Sequence, residues 1–223
     1  MYKKRRVIAV LVFLSIVVAF FLQGCVSRIP IAIPEFAPVE APTMDEYFAW
    51  AANHRKEIIA YQAFLDEQAV GDIVPLSQLL KSARDWKRCN ADPFSVPPKE
   101  LWPNIVPTLQ VVKKLKADGV LVNPVAASAY RDPVLNVCAG GSLKSKHLQL
   151  NAIDFDIEAT PTSLATLCNA WKTSGPELNL GLGFYTTTNT TTKIHLDTLG
   201  FRSWGPDYTH KTSPCLQTKS TVQ

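Results

Sequence analysis

The sequence predicts an α+β chain, with helices first and a small antiparallel sheet after them. Two observations carry this. Between Thr43 and Ala117, apolar residues recur at helical spacing, punctuated by Gly and Pro. From Val120 onward, short runs rich in β-branched and aromatic residues take over, separated by turn residues.

The chain begins with Lys3, Lys4, Arg5 and Arg6, then an almost unbroken apolar run from Val7 to Leu22, then Leu22-Gln23-Gly24-Cys25. A charged start, a short apolar core and small residues before a cut point mark an export signal over residues 1–24. The run falls short of the about 20 residues that span a bilayer. An uncleaved anchor with an incidental Cys25 is the alternative. Leu22-x-Gly24-Cys25 resembles the lipobox, which implies a lipid on the Cys25 thiol and cleavage before it. Val26, where Asp would signal retention, implies by the same resemblance an outer-membrane address facing the periplasm. Each buried acyl methylene adds about 0.8 kcal/mol to such anchoring.

The formal net charge of +4 is that of the four cations in the signal, which carries no acid, so the rest of the chain is close to neutral. That balance gives no support to nucleic-acid binding. With Cys25 lipidated, Cys89, Cys138, Cys168 and Cys215 remain, an even set that fits two disulfides in an oxidising compartment. Three pairings are open; Cys89–Cys215 with Cys138–Cys168 is the expected one. A four-cysteine zinc site is the rival, disfavoured because no two of these cysteines are close in sequence.

Residues 25–42 hold Pro30, Pro34, Pro38 and Pro42 and read as a semi-rigid tether. Thr43 with Glu46 forms a capping box that opens a helix carrying Tyr47, Trp50, Ile58, Tyr61 and Leu65, with Gly71 as its stop. A second helix is expected over Leu76–Asp85, a turn over Asp92–Pro98, and a third helix over Lys99–Ala117, constrained by Pro103 and Pro107. The helical part thus covers 43–119. In the α+β part, 120–223, strands are expected at Val120–Ala129, Ala152–Ile157, Gly181–Tyr185 and Lys193–Asp197. A helix is expected over Thr162–Lys172, a Thr-rich loop over Thr186–Thr192, and a tail follows the last strand.

Within that second part, His147, Asp154 and His195 offer two imidazoles and a carboxylate on or beside strands. Zinc accepts such ligands near 2.0 Å, and a catalytic site leaves a fourth position open. A surface or capping pair is the simpler alternative for a His near an Asp. His54 and His210 read as helix and tail residues.

Ser145-x-His147-x-x-x-x-Ala152-x-Asp154, with His195-x-Asp197 later, resembles the zinc D-Ala-D-Ala carboxypeptidase family, whose wider group includes lysostaphin-type enzymes and the hedgehog domain. Ser128-Ala129-Tyr130-Arg131 is similar to the family's Ser-Gly-Tyr-Arg stretch. Gly181-x-Gly183-Phe184-Tyr185 and Trp204-Gly205 resemble one branch of it. The resemblance spans about Val120 to Gly205. It implies Zn2+ on His147, Asp154 and His195, with Arg131 holding a substrate carboxylate and Ser145 beside it. It implies hydrolysis of peptidoglycan stem peptides or cross-links, as a D,D-carboxypeptidase or an endopeptidase. Two positions depart from the motif. Its glycine is Leu150 here, and the usual general-base position is Thr192. Asp197, two residues from His195 and so on its face of a strand, is the candidate base, with Asp156 in reserve. Alternatively, Asp197 orients a ligand or pairs with Arg202. A non-catalytic wall-binding or scaffolding lipoprotein that keeps the fold is the alternative function, and a structural lipoprotein without metal is a third.

Overall fold

The computed structural model describes residues 41–187 and 191–217. The expected export signal, Cys25 and most of the tether lie outside the described residues. Among the described residues no helix is long and apolar enough to cross a membrane.

Thr43 caps helix α1 (Met44–Ala51): its Oγ1 accepts from the Glu46 amide, and the Glu46 carboxylate accepts from the Thr43 amide. The single helix expected to continue past Ile58 is interrupted. His54 stacks on Trp50 at 4.3 Å between ring centroids, and its Nδ1 donates to the Trp50 carbonyl at 2.8 Å. The imidazole thus shares with the Asn53 amide a carbonyl of the last turn of α1, and α2 (Arg55–Glu67) starts afresh. Helix α3 is one turn, Leu76–Leu79, rather than reaching Asp85, because Ser82 turns away to bond the Pro93 and Asp92 carbonyls. The helix expected over Lys99–Ala117 is a 3-10 stretch, Lys99–Ile105, followed by α4 (Val106–Ala117). Pro103 and Pro107 lack the amide that regular α pairing needs.

Among the described residues five strands follow: β1 (Val125–Ser128), β2 (Ala152–Glu158), β3 (Gly181–Thr187), β4 (Thr191–Asp197) and β5 (Arg202–Trp204). Their order is β1-β2-β4-β3-β5. All neighbours are antiparallel except β3 and β5, which run parallel, so the sheet is mixed at one edge. β1 is shorter than expected and β5 was not foreseen. Helix α5 (Pro133–Cys138) was also missed, although Asp132 caps it and Pro133 opens it, a readable start signal. Helix α6 (Pro161–Ser174) encloses the expected Thr162–Lys172.

One face of the sheet is apolar. Ile153, Phe155 and Ile157 of β2, Leu182 and Phe184 of β3, and Ile194 and Leu196 of β4 join Leu109, Val112 and Leu115 of α4 and Leu167 and Trp171 of α6 in a single buried cluster. The indole of Trp171 donates to the Leu180 and Arg202 carbonyls, fixing α6 to the ends of β3 and β5.

The disulfides are Cys89–Cys138 and Cys168–Cys215, not the expected pairing. Cys138 closes α5, and its carbonyl accepts from Arg88 at 3.2 Å, beside Cys89. Cys168 lies on the buried side of α6, where the tail returns with Cys215. The unforeseen α5 is what brings Cys138 to Cys89.

Candidate metal centre

The polar face of the sheet carries one row that crosses all five strands: Ser128, Asp154, His195, Gly183 and Trp204 are successive register partners. Asp154 and His195 are thus direct cross-strand neighbours. His147 comes from outside the sheet, on a 3-10 turn (Lys146–Gln149) capped by the Ser145 hydroxyl. The Ala129–Arg131 backbone docks that turn: the Arg131 amide donates to the His147 carbonyl, and the Ala129 carbonyl accepts from His147 Nδ1 at 2.7 Å.

These contacts fix which ring nitrogens point inward. His147 Nδ1 is the donor to a carbonyl, so its Nε2 presents a lone pair. His195 Nε2 faces the Asp197 carboxylate at 3.0 Å and is the donor there, so its Nδ1 presents the lone pair. His147 Nε2 and His195 Nδ1 stand 3.1 and 2.9 Å from Asp154 Oδ1, and 3.2 Å from each other. With both rings neutral, three acceptors therefore converge with no donor among them, an arrangement that a cation satisfies. Ligands held at about 2.0 Å in a tetrahedral site lie roughly 3.3 Å apart, close to the observed edges. All three residues are buried.

A second ring of groups holds this triangle. Arg202 grips Asp197 with Nη2 at 2.6 Å from Oδ2 and Nη1 at 3.1 Å from Oδ1, and the Leu199 amide adds a bond at 2.9 Å. The Gly-x-Gly pair makes room for it. A Cβ on Gly181 would lie 2.6 Å from Asp197 Oδ2, and one on Gly183 would lie 2.4 Å from the Trp204 ring, which packs against His195. Leu150 ends the His147 turn at φ 55, ψ 33, the left-handed region that favours glycine, while its side chain is buried in the core.

Burial pushes the His147 imidazole below its usual range, against the opposing pull of Asp154. Burial acts to raise the Asp154 carboxyl, but the two imidazoles outweigh it and hold that carboxyl well below the usual carboxylate range. For His195, burial is overridden by the Asp154 and Asp197 carboxylates, which favour the protonated ring, and the imidazole is held above its usual range. Burial likewise opposes ionisation of Asp197, but His195 and Arg202 bring it down to about 2.

The triangle opens into a cavity of about 920 Å³ that Arg131, Ser145, Tyr185, Trp204 and Tyr208 help to line. Arg131 Nη2 lies 3.6 Å from Asp154 Oδ2. Asp197 does not line the cavity. It sits behind His195, fully buried and paired with Arg202, which is the alternative place the sequence offered it. Asp156 shares the polar face but is paired with Lys193 at 2.7 Å and also lies outside the lining. Thr192 is buried, and strand alternation puts it on the core face with Ile194. Sequence reasoning passed over Arg84 and Lys144 as cavity residues and read His210 as a tail residue, although it too lines the cavity. The Gly-x-Gly-x-Tyr motif was the readable signal for Tyr185.

A family model described as Peptidase M15 matches residues 76–197, more than half of the chain. No curated protein and no solved structure gives a significant match.

Proposed function

The chain belongs to the peptidase M15 family, and from that premise we propose that it is a zinc-dependent peptidase acting on peptidoglycan stem peptides or their cross-links. The observation that carries the reading is the convergence of three lone-pair donors, His147 Nε2, His195 Nδ1 and Asp154 Oδ1, with the two imidazole tautomers set from behind. Two imidazoles and a carboxylate suit zinc. Such an ion supplies Lewis-acid polarisation of the scissile carbonyl and a nucleophile at neutral pH.

The chain's own residues do the rest. Arg131 binds substrate: it lines the cavity beside the triangle, where a guanidinium grips a carboxylate with two parallel bonds. Ser145 stands beside it on the cavity lining. Burial raises the Tyr185 phenol above its usual range, so it stays protonated and donates to a developing oxyanion. Asp197 and Arg202 hold the His195 ring in place.

One observation favours a second reading, wall binding without turnover. Among the described residues, Asp85 and Asp154 are the only carboxylates lining the cavity, and Asp154 belongs to the triangle. We further propose lipid attachment through Cys25 and an outer-membrane address facing the periplasm. The first 26 residues support this, and the two disulfides support an oxidising compartment.

Metal content of the full-length protein, wild type beside His195→Ala, tests the site, and the same samples incubated with muropeptides test the activity. About one zinc per chain, lost in the variant, with new peptide products, is the expected result. Metal without products selects the wall-binding reading, and no metal after zinc is supplied overturns both.

A further inference from the structure

The cavity has two unlike walls. One is aromatic, built from Tyr185, Trp204 and Tyr208, with Pro206 between the last two. The other is cationic. It brings together Arg84, from the helical half, with Lys144, from the loop that follows α5, and Lys146, which opens the turn carrying His147.

That second wall is built rather than incidental. Cys89–Cys138 joins the two segments, and the Arg88 guanidinium donates to the Cys138 carbonyl at 3.2 Å. Arg88 also closes on Asp85 with Nε and Nη2 at 3.0 and 2.9 Å. The one acid on this wall is thereby already matched. Among the described residues Arg84, Lys144 and Lys146 form no ion pair. Asn136 holds the loop between them, donating from Nδ2 to the Ser142 carbonyl at 2.9 Å. Gly141 packs so closely there that an added Cβ would lie 2.1 Å from Asn136 Oδ1. Gly140, Gly141 and Ser142 line the same cavity as the three cations.

We propose that Arg84, Lys144 and Lys146 form an anion subsite, so that the preferred substrate is a peptide carrying a second carboxylate away from the scissile bond, in addition to the one gripped by Arg131. This rests on the peptidase reading for the position of the scissile bond. The volume of about 920 Å³ lies near the top of the usual range for ligand sites, which suits a peptide longer than a terminal dipeptide. Unpaired cations in a cavity that also holds aromatic, low-dielectric lining focus the field on an incoming anion.

The test uses two synthetic peptides, acetyl-D-Glu-Lys-D-Ala-D-Ala and its D-Gln counterpart, with full-length zinc-loaded protein. Wild type is compared with Arg84→Gln/Lys144→Gln, and both calorimetric Kd and hydrolysis are measured. Loss of a charge-assisted contact costs roughly tenfold or more in binding. The wild type is expected to bind the D-Glu peptide about tenfold more tightly than the D-Gln peptide, and the variant to lose that preference. Hydrolysis then shows the change in KM with kcat held. Equal binding of the two peptides by wild type overturns the subsite, as does a variant that weakens both equally. Hydrolysis without discrimination removes the subsite and leaves the peptidase reading intact. Discrimination in Kd without hydrolysis does the reverse.

Discussion

β2 and β4 pair along their whole length, yet their two faces have nothing chemical in common. One face sends Ile153, Phe155 and Ile157 from β2, and Thr192, Ile194 and Leu196 from β4, into the core. The other carries Asp154 and Asp156 opposite His195 and Lys193, with Asp197 beyond. The same backbone bonds serve both, and the alternation of side chains separates packing from chemistry. An offset of two along β4 stays on the chemical face, as from His195 to Asp197. An offset of three crosses to the core, as from His195 to Thr192.

The sharpest way to break this separation is a pair of neighbours. His195→Ala is expected to lose metal by far more than the roughly 10–100-fold that changes in supporting residues cost, with little loss of stability. Ile194→Ala is expected to lose about 2–5 kcal/mol of stability while its folded fraction still binds metal. Calorimetric metal titration beside denaturant unfolding reads both. Metal loss in Ile194→Ala, or unfolding in metal-free His195→Ala, would show the faces to be coupled.

Thr192→Glu asks whether the position can serve catalysis at all. On the core face a carboxylate is desolvated, and we expect a loss of roughly 3 kcal/mol or more in unfolding free energy with no gain in turnover. A stable variant with faster muropeptide cleavage would mean that the strand presents residue 192 to the cavity.

Asp197→Asn sharpens the comparison within the chemical face. As the orienting group it is expected to weaken metal binding roughly 10–100-fold. If metal affinity is kept and only turnover falls, Asp197 takes the proton, as the sequence first suggested. A pH titration adds an independent check. Asp197 is held at about 2 in the folded protein, below its ordinary 3.8. Its stabilisation is therefore present above the ordinary value and lost as pH falls towards 2. The metal-free wild type is expected to lose more stability than Asp197→Asn over that interval.

The elements most legible in the sequence are those whose signals are local. The Thr43 capping box and the alternation around Asp154 and His195 needed only neighbouring residues, and the fold brings His147, Asp154 and His195 together. The disulfide pairing was not legible, because it depends on where the short α5 turns Cys138. Nor was the cationic wall, since Arg84 and Lys144 are distant in the chain and come to one cavity only in the fold, where Cys89–Cys138 joins their segments. The role of Asp197 was half legible: alternation gave its face, but only the Arg202 guanidinium shows that it looks away from the cavity.

Leu150 offers the smallest and cleanest contrast, because there the two demands fall on one residue. Its backbone is left-handed, at a cost of roughly 1–2 kcal/mol for an L-residue, while its side chain is 1% exposed and packs in the core. Leu150→Ala removes the packing and keeps the strain, for an expected loss of about 2–5 kcal/mol. Leu150→Gly removes both. Gly normally ranks below Ala, since it has more backbone freedom to lose on folding; at a left-handed position the order inverts. We therefore expect Leu150→Gly to be the more stable of the two variants by about 1 kcal/mol, while both remain below wild type. Paired denaturant unfolding curves measure that difference directly. The usual order, with Ala above Gly, would mean that the turn carrying His147 relaxes out of the left-handed region once the leucine is gone, and that the buried side chain is what holds the first ligand in place.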